Sequence, residues 1–388
     1  MKGKTNSLLN KSIPSETKRT ALVFSGGGSR GAYECGVWQA IDELGIELAM
    51  VAGVSVGALN GVMVVQDDQI TAANLWRQLE TDMVFDVEPD AQLQDFAKEF
   101  FRQGGAGTEG LQSIITQFIN EKKARESAID FGLLTVEFPA MKPHYLWISD
   151  IPKGRLADYV TASASAFPAV QPYEIDGKSF IDGGYENNLP VRMALDHGAT
   201  DIIAVNLKAV GRYNPKDLEG IENLLLIEPK WDLGSFLVFD TSNTKRIMRI
   251  GYLDAMKALD VYDGNYFTFV KQAFDKKALQ QADLCAKLFE LDPLILYRRE
   301  LFLEKLARAV KDVYTETYDR LNFDHREILT PDKIKDVLKT ANRKTLVVAL
   351  AHLIAENDEE SLKILKLKSM QKLLKDEIAM AKFLIKNL

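Results

Sequence analysis

Cysteine is scarce in this chain of 388 residues, which contains only Cys35 and Cys285. A disulfide framework needs more cysteines in a much smaller chain, and neither cysteine has the spacing of a metal site. We therefore expect a reduced, cytoplasmic protein. No other cluster with metal-ligand spacing is visible in the sequence, so we expect no metal and no organic cofactor.

Positive charge is also in deficit. Lys and Arg number 48 against 55 Asp and Glu, which gives a formal net charge of −7 and an isoelectric point near 5.4. A general attraction to nucleic acid phosphates would need a basic surface, so nucleic acid is not an expected partner. The hydrophobic fraction of 46% and the charged fraction of 27% are those of an ordinary globular protein.

Long hydrophobic runs are nearly absent, and one stretch alone approaches the length of a membrane span. Residues 48–66 carry no formal charge, whereas about twenty apolar residues are needed to cross a bilayer. Gly53, Gly57 and Gly61 interrupt this stretch, as does Ser55. A strand, a tight turn and a buried helix in a protein core would also explain why this stretch lacks charged residues. We predict that arrangement.

The chain is too long for one ordinary core, because single cores stop growing at about 250–300 residues. Residues 1–18 are polar and are expected to form a tail. Strand-like and helical runs alternate over residues 19–215, which implies a mainly parallel sheet covered by helices. Residues 216–388 carry mainly helical patterns. We therefore predict an α/β domain at 19–215 and an additional helical C-terminal region at 216–388.

The predicted elements follow from apolar periodicity. Strand-like runs lie at 20–25, 48–54, 131–138, 144–149, 179–181 and 201–207, with an ambiguous run at 266–270. Apolar helices are expected at 32–44 and 58–65, directly after the first two strands. Residues 71–126 look mostly helical, and a glycine-rich loop or lid at 104–107 interrupts them.

The pattern Gly53-x-Ser55-x-Gly57 lies between the second strand and its helix. It fits a nucleophile elbow, where small flanking residues permit a strained turn that lifts the serine out of the sheet. The dipole of the following helix favours negative charge at the serine. Ser55 is therefore a candidate nucleophile, and the alternative is a turn with an internally hydrogen-bonded serine.

A glycine loop, Gly26-Gly-Gly-Ser-Arg-Gly31, directly follows the first strand. Through Gly26, Gly28 and Gly31 it satisfies the dinucleotide fingerprint, which also requires an acidic residue at the end of the second strand. That strand runs into Ser55 instead. The alternative use of the loop is an oxyanion hole built from consecutive backbone N–H groups. Arg30 could orient the loop, attract a phosphate head group or form a surface salt bridge.

A serine nucleophile needs a base. The four histidines, which have no motif around them, are His144, His197, His325 and His352. Asp182 follows a β-favouring run and precedes two glycines that allow close approach of the backbone. A carboxylate with a pKa of about 3.9 is a weak base, but desolvation beside an apolar acyl pocket would raise that pKa. Asp182 is therefore the candidate base, and the alternative is a turn-forming Asp-Gly pair.

Taken together, the three motifs resemble those of the patatin-like phospholipase family. The G-G-G-x-R-G loop stands at Gly26 to Gly31, the G-x-S-x-G elbow at Gly53 to Gly57 and the D-G-G turn at Asp182 to Gly184, in the order of that family. Residues 162–168 and 188–190 resemble the stretches that flank the D-G-G turn. The resemblance covers about residues 19–210, roughly half of the chain.

This resemblance implies a patatin-like α/β fold and a lipid acyl hydrolase of the phospholipase A or lysophospholipase type. It implies a dyad of Ser55 and Asp182 without histidine, and oxyanion donors at Gly26, Gly27 and Gly28. The substrate would be a phospholipid or another acyl-ester lipid. Val54 and Val56 flank the serine where the family more often has smaller or hydroxylated residues. The alternatives are a catalytically weak lipid-binding or scaffolding protein and a nucleotide-binding protein.

Residues 361–388 form a basic, amphipathic segment that the resemblance does not cover. Seven lysines stand against Asp376 and Glu377, a local charge of +5. An apolar stripe at helical spacing consists of Leu367, Met370, Leu374, Ile378, Ala381, Ile385 and Leu388. One interpretation is a terminal helix packed on the helical region. The other is a peripheral membrane contact, with the helix lying on anionic lipid.

Overall fold

The computed structural model describes residues 18–85, 107–321, 343–356, 363 and 365–388. The chain divides into two compact units, Met1–Ala258 and Leu259–Leu388. The predicted tail lies almost wholly outside the described residues, and so does most of the predicted lid at 104–107.

The first unit alternates strands and helices, as the sequence predicts. Its strands are β1 (Thr20–Phe24), β2 (Met50–Val54), β3 (Asp130–Phe138), β4 (Lys142–Trp147), β5 (Tyr173–Ile175), β6 (Lys178–Asp182), β7 (Asp201–Val205) and β8 (Leu224–Ile227). Its helices are α1 (Ala32–Glu43), α2 (Val56–Val65), α3 (Gln69–Gln78), α4 (Thr81–Val84), α5 (Glu109–Phe118), α6 (Glu121–Glu126), α7 (Leu156–Ser163), α8 (Val191–Asp196) and α9 (Thr241–Ala258).

These strands form one sheet in the order β5-β6-β3-β2-β1-β7-β8, with β4 also paired to β3. The central pairs β3–β2, β2–β1, β1–β7 and β7–β8 are parallel, and the pairs of β3 with β4 and β6 are antiparallel. Every residue of β1, β2 and β7 is buried, as expected for parallel strands covered on both faces. The predicted α/β fold with a mainly parallel sheet is confirmed.

The first unit extends beyond the predicted boundary at residue 215. The short strand β8 joins the sheet beside β7, although the strand signal in the sequence fades after Gly211. Helix α9 then packs closely on α1. A side chain at Gly36 or at Gly251 would collide with the backbone of the opposite helix, so these two glycines permit the close approach.

The second unit is mainly helical, which agrees with the predicted C-terminal region. Its helices are α10 (Lys276–Leu288), α11 (Arg299–Leu321), α12 (Arg343–Ala355), α13 (Lys368–Leu373) and α14 (Lys375–Asn387). Its small sheet consists of β9 (Asp263–Gly264), β10 (Thr268–Phe269) and β11 (Leu296–Tyr297). Of these strands, the sequence indicated only β10, within the ambiguous run at 266–270. Edge-to-face contacts of Phe269, Phe274 and Phe302 contribute to its core.

The apolar stripe of the C-terminal segment is mostly used inside this second unit. Met370, Leu374 and Ala381 are buried in a cluster with residues of α12. Leu367 is 55% exposed and Ile385 41% exposed. This burial favours the packing interpretation of the segment. In the described part of the chain, no helix is both long enough and apolar enough to cross a membrane.

Candidate active site

Ser55 occupies a strained turn between β2 and α2. Its φ of 57° and ψ of −128° are unusual for a residue with a side chain. A Cβ atom at Gly53 would collide with the carbonyl oxygen of Gly57, and one at Gly57 would lie 2.6 Å from the carbonyl oxygen of Ser25. Both glycines of the G-x-S-x-G pattern are therefore required by the close approach of the backbone.

The sheet register explains how Ser55 and Asp182 come together. The parallel strand β2 ends at Val54, opposite Leu134 of β3. The antiparallel strand β6 ends at Asp182, opposite Thr135, the next residue of β3. Since β4 pairs with the same part of β3, β2 and β6 must share the other edge. Their carboxyl ends meet there, and Ser55 and Asp182 face each other.

Asp182 is a buried carboxylate without a cationic partner. It is 7% exposed, and none of the ion pairs between described residues includes it. Burial raises the pKa of Asp182 to about 6, whereas hydrogen bonds from the Ser55 side chain and the Gly184 N–H lower it. The Gly184 N–H lies 2.7 Å from Oδ1. The group can therefore lose and regain a proton near neutral pH, as a general base must.

The glycine loop lies beside this pair and presents two free amides. The N–H of Gly26, expected to be an oxyanion donor, donates to the carbonyl of Asn188 at 3.2 Å. No hydrogen bond within the described protein engages the N–H of Gly27 or Gly28. Both glycines line the same cavity as Ser55 and Asp182. They are therefore the available donors in this loop.

Arg30 holds the loop in place. Its Nε and Nη2 donate to the carbonyl of Gly234 at 2.9 and 2.8 Å, and its Nη1 donates to the carbonyl of Lys208 at 3.1 Å. It does not line the cavity and forms no ion pair with any described residue. Of the three roles considered for Arg30, the structure favours orientation of the loop over binding of a head group.

An apolar cavity of about 590 Å³ opens onto Ser55. Its volume lies within the range of about 300–1,000 Å³ that small-molecule sites occupy. Many of the apolar lining residues lie around residues 76–85, 111–115, 166–170 and 236–239, and others include Val56, Leu59 and Val210. Arg212 contributes a cationic side chain to the lining. The shape and chemistry suit a flexible hydrocarbon chain beside the reactive pair.

No histidine lines this cavity within the described residues. His144 Nε2 lies 3.0 Å from Glu137. The ring of His197 stacks on Trp147, with centroids 3.7 Å apart. His352 belongs to the second unit, and His325 lies outside the described residues. The expectation that no histidine acts as the base is therefore consistent with the geometry.

Two positions that support the pair were missed as functional residues. Ser163 Oγ accepts the Ser55 N–H at 2.9 Å and donates to the carbonyl of Leu134 at 2.7 Å, which fixes the turn. Asn188 Nδ2 donates to the carbonyl of Gly26 at 3.1 Å. Both lie in the stretches that flank the D-G-G turn, so the sequence marked their location but not their contacts. The described residues contain no group of three or more His, Cys, Asp or Glu placed to hold a metal ion.

Comparisons with known proteins agree with this geometry. Residues 22–195 match the family model described as patatin-like phospholipase. Neuropathy target esterase sws of Drosophila melanogaster is 28% identical over 275 residues, which cover 66% of this chain and 18% of that protein. Patatin-like phospholipase domain-containing protein 7 of Rattus norvegicus is 26% identical over 265 residues, with the same two shares.

Among solved structures, that of VipD from Legionella pneumophila is 14% identical, with a TM-score of 0.41, and covers 96% of this chain and 90% of that one. The chain spans less than a fifth of the length of the two curated relatives. The family-model match and the three motifs together show that residues 22–195 of this chain form a patatin-like phospholipase domain.

Proposed function

We propose that this protein is a lipid acyl hydrolase that uses Ser55 as nucleophile and Asp182 as general base. Asp182 takes the proton from Ser55, and the alkoxide attacks the carbonyl carbon of a fatty-acyl ester. The N–H groups of Gly27 and Gly28 stabilise the oxyanion. The ester bond then breaks, the departing alcohol takes the proton from Asp182, and an acyl-enzyme remains. Water, deprotonated by Asp182, then attacks the acyl carbon, the bond from that carbon to Ser55 Oγ breaks, and Oγ regains the proton from Asp182 as the fatty acid leaves.

The environment of Asp182 carries this proposal. A buried carboxylate that accepts a hydrogen bond from a serine, with no cation beside it and a pKa raised to about 6, is arranged as a base. The strained turn at Ser55 supports the same assignment, since such strain concentrates at functional sites. Arg30, held by backbone carbonyls, positions the loop that carries the oxyanion donors.

The substrate is proposed to be a phospholipid or lysophospholipid. Curated relatives include Lysophospholipase NTE1 of Saccharomyces cerevisiae, 25% identical over 255 residues, which cover 62% of this chain and 14% of that protein. The apolar cavity supports a fatty-acyl substrate, because it would bury the chain beside Ser55. Arg212 also lines the cavity, and a polar or anionic group near the ester would compete with Glu186 for its guanidinium.

Lipid mass spectrometry tests this proposal. A mixed membrane lipid extract is incubated with the wild-type protein and with Ser55→Ala. We expect the wild type to release free fatty acids and to deplete particular phospholipids or lysophospholipids, and Ser55→Ala to release none. Identical lipid profiles for the two proteins, with lipid still bound by both, would favour the alternative of a weakly catalytic lipid-binding protein.

A further inference from the structure

The segment from Gly234 to Phe239 lies outside the matched family domain but forms part of the cavity. It precedes α9, and Phe236, Leu237 and Phe239 line the cavity. The ring of Phe239 stacks on that of Trp76, with centroids 6.3 Å apart, and meets Phe85 edge to face at 6.1 Å. Phe239 is therefore central to an aromatic wall against which an acyl chain would pack.

The backbone of this segment also holds the glycine loop. The carbonyl of Phe236 accepts the Ser29 N–H at 2.9 Å, and the carbonyl of Ser235 accepts the Ser29 hydroxyl at 2.8 Å. The carbonyl of Gly234 accepts two hydrogen bonds from the Arg30 guanidinium. Ser29 and Arg30 directly follow the two glycines with free amides. The position of those amides therefore depends on the position of the segment.

The other end of the segment is fixed as well. Thr81 Oγ1, at the start of α4, accepts the N–H of Phe239 at 3.0 Å and donates to the carbonyl of Phe239 at 3.3 Å. One side of the segment thus carries the aromatic wall, and its backbone connects that wall to the glycine loop. The segment thus provides a continuous backbone connection from Phe239 to the partners of Ser29 and Arg30.

We infer that the 234–239 segment is a positioning element, which couples packing of the acyl chain on Phe239 to placement of the Gly27 and Gly28 amides. This inference rests on the proposed function. Under this inference, the acyl chain of the substrate contributes to specificity, because its binding energy is used to position the groups at the reacting centre. The fit of the chain should accordingly appear in the turnover rate more than in apparent affinity.

Two fluorophosphonate probes, one with a methyl chain and one with a dodecyl chain, separate these quantities. In labelling, Ser55 Oγ forms a bond to phosphorus, the phosphorus–fluorine bond breaks, fluoride leaves, and Asp182 takes the serine proton. The phosphoryl oxygen occupies the oxyanion position. The dependence of labelling on probe concentration gives a maximal rate and an apparent affinity for each probe.

We expect Phe239→Ala to lower the maximal rate with the dodecyl probe about tenfold and to lower the rate with the methyl probe much less. That loss is smaller than the factor of about 10²–10³ expected for complete loss of one oxyanion donor. Arg30→Met should slow both probes and abolish the advantage of the longer chain. Adding Phe239→Ala to Arg30→Met should then cause no further loss, because both changes act through one segment. Thr81→Val removes the hydrogen bonds that fix the segment at Phe239. It should reduce the rate advantage of the dodecyl probe over the methyl probe, and it tests the coupling even if Arg30→Met does not fold.

Matched controls exist in the same unit. Arg192 also donates to a backbone carbonyl, that of Glu219 at 2.8 Å, but it does not line the cavity. Ser242 makes only an exposed contact with Asp240. Arg192→Met and Ser242→Ala should match the wild type with both probes. The inferred coupling is contradicted if Phe239→Ala weakens only the apparent affinity for the dodecyl probe. It is also contradicted if the rate losses for Arg30→Met and Phe239→Ala multiply in the double variant. If neither probe labels wild-type Ser55, the proposed function itself fails, and this inference fails with it.

Discussion

Glu377 and Asp182 are two of the buried carboxylates, one from each unit, and they differ in whether a cation accompanies them. Glu377 in the second unit is 4% exposed and accepts two hydrogen bonds from the Arg343 guanidinium, with Nε at 2.9 Å. Asp182 in the first unit is comparably buried, and among the described residues it accepts hydrogen bonds only from Ser55 and Gly184. Burial without a cation destabilises the ionised form. The first arrangement stabilises a helical core, whereas the second leaves a carboxylate with a raised pKa beside Ser55, as the proposed general base requires.

The backbone at the two sites differs in the same way. Glu377 lies in the regular helix α14, and its neighbours Leu374 and Ala381 fill a close-packed core. Asp182 adjoins a strained serine and a loop with two unpaired amides. Proteins break local rules of this kind mainly at functional sites. The contrast therefore supports assigning chemistry to the first unit and a packing role to the described C-terminal helices.

The largest expected effect is the loss of hydrolysis when the reactive pair is broken. Ser55→Ala and Asp182→Asn should each lower kcat/KM at least about 10³-fold, and the double variant should be little worse than either single one, because the two residues act as a unit. Steady-state kinetics on a soluble ester measure this. His144→Gln and His197→Gln are the controls and should keep most of the activity. A large loss in either control with an intact fold would point to a triad.

A smaller but more specific effect is expected in the glycine loop. Gly28 has a φ of +56°, and a Cβ there would collide with the carbonyl oxygen of Phe236. Gly28→Ala should therefore displace a donor and lower kcat by about 10²–10³ with little change in KM. Gly45 has a similar φ of +61° but open space around it. Gly45→Ala should reduce only stability, by about 1 kcal/mol. Equal kcat values for the two variants would contradict the oxyanion assignment.

At Gly27 the steric conflict of an added Cβ atom is milder than at Gly28. A Cβ there would lie 2.5 Å from Cδ1 of Leu207, the end of a flexible side chain. The φ of 173° is extended and is accessible to any residue. We therefore expect Gly27→Ala to lower kcat less than Gly28→Ala does. The same kinetic measurement ranks them, and the reverse order would show that Gly27 is the more sensitive position.

The two carboxylates should respond oppositely to neutralisation. The folded pKa of Asp182, about 6, lies above its ordinary value of 3.8, so its contribution to stability is complete below pH 3.8 and is lost as pH rises through 6. At pH 8 Asp182→Asn should therefore stabilise the fold by about 2–3 kcal/mol, and at pH 4 it should have little effect. Glu377→Gln should destabilise by about 1–2 kcal/mol, since it weakens a partly buried pair. Denaturant unfolding at both pH values measures these changes, and stabilisation by both substitutions would remove the distinction.

The smallest effect is expected on the exposed side of the C-terminal stripe. Leu367→Ser should change stability by less than about 0.5 kcal/mol, because this side chain is largely exposed. If the segment serves packing alone, sedimentation with vesicles of phosphatidylserine and phosphatidylcholine should also be unchanged. A clear loss of vesicle binding by a folded Leu367→Ser protein would restore the membrane interpretation of residues 361–388.

The sequence predicted the parts of the first unit that depend on local patterns. Buried strands that precede glycine turns are recognisable as short apolar runs followed by glycines. The glycines of the elbow at Gly53 to Gly57 indicate a close approach of the backbone. Strands β8, β9 and β11 were missed and β10 was left ambiguous, because strands of two to four residues carry too little periodicity. The extent of the first unit was missed for a related reason. The packing of α9 on α1 depends on Gly36 and Gly251, which are far apart in sequence.

The sequence singled out Ser55 and Asp182, which the structure brings together, but it did not reveal the contacts that hold them. Ser55 and Asp182 lie in recognisable turns. The Gly26 N–H donates to Asn188, and Arg30 donates to the carbonyl of Gly234. These hydrogen bonds join segments that are far apart in the sequence, so the sequence alone does not predict them. Arg30 illustrates the limit, since its motif suggested three roles and only its partners distinguish them.

The pH dependence of Ser55 labelling by a fluorophosphonate tests the dyad most directly. Because Asp182 must be ionised to accept the serine proton, the second-order labelling rate should rise tenfold per pH unit below pH 6 and level off above it. His144→Gln and His197→Gln should leave this profile unchanged, and Asp182→Asn should remove it together with most of the rate. A rate that is flat across pH 5 to 8, or an inflection that disappears when a histidine is replaced, would contradict a base at Asp182.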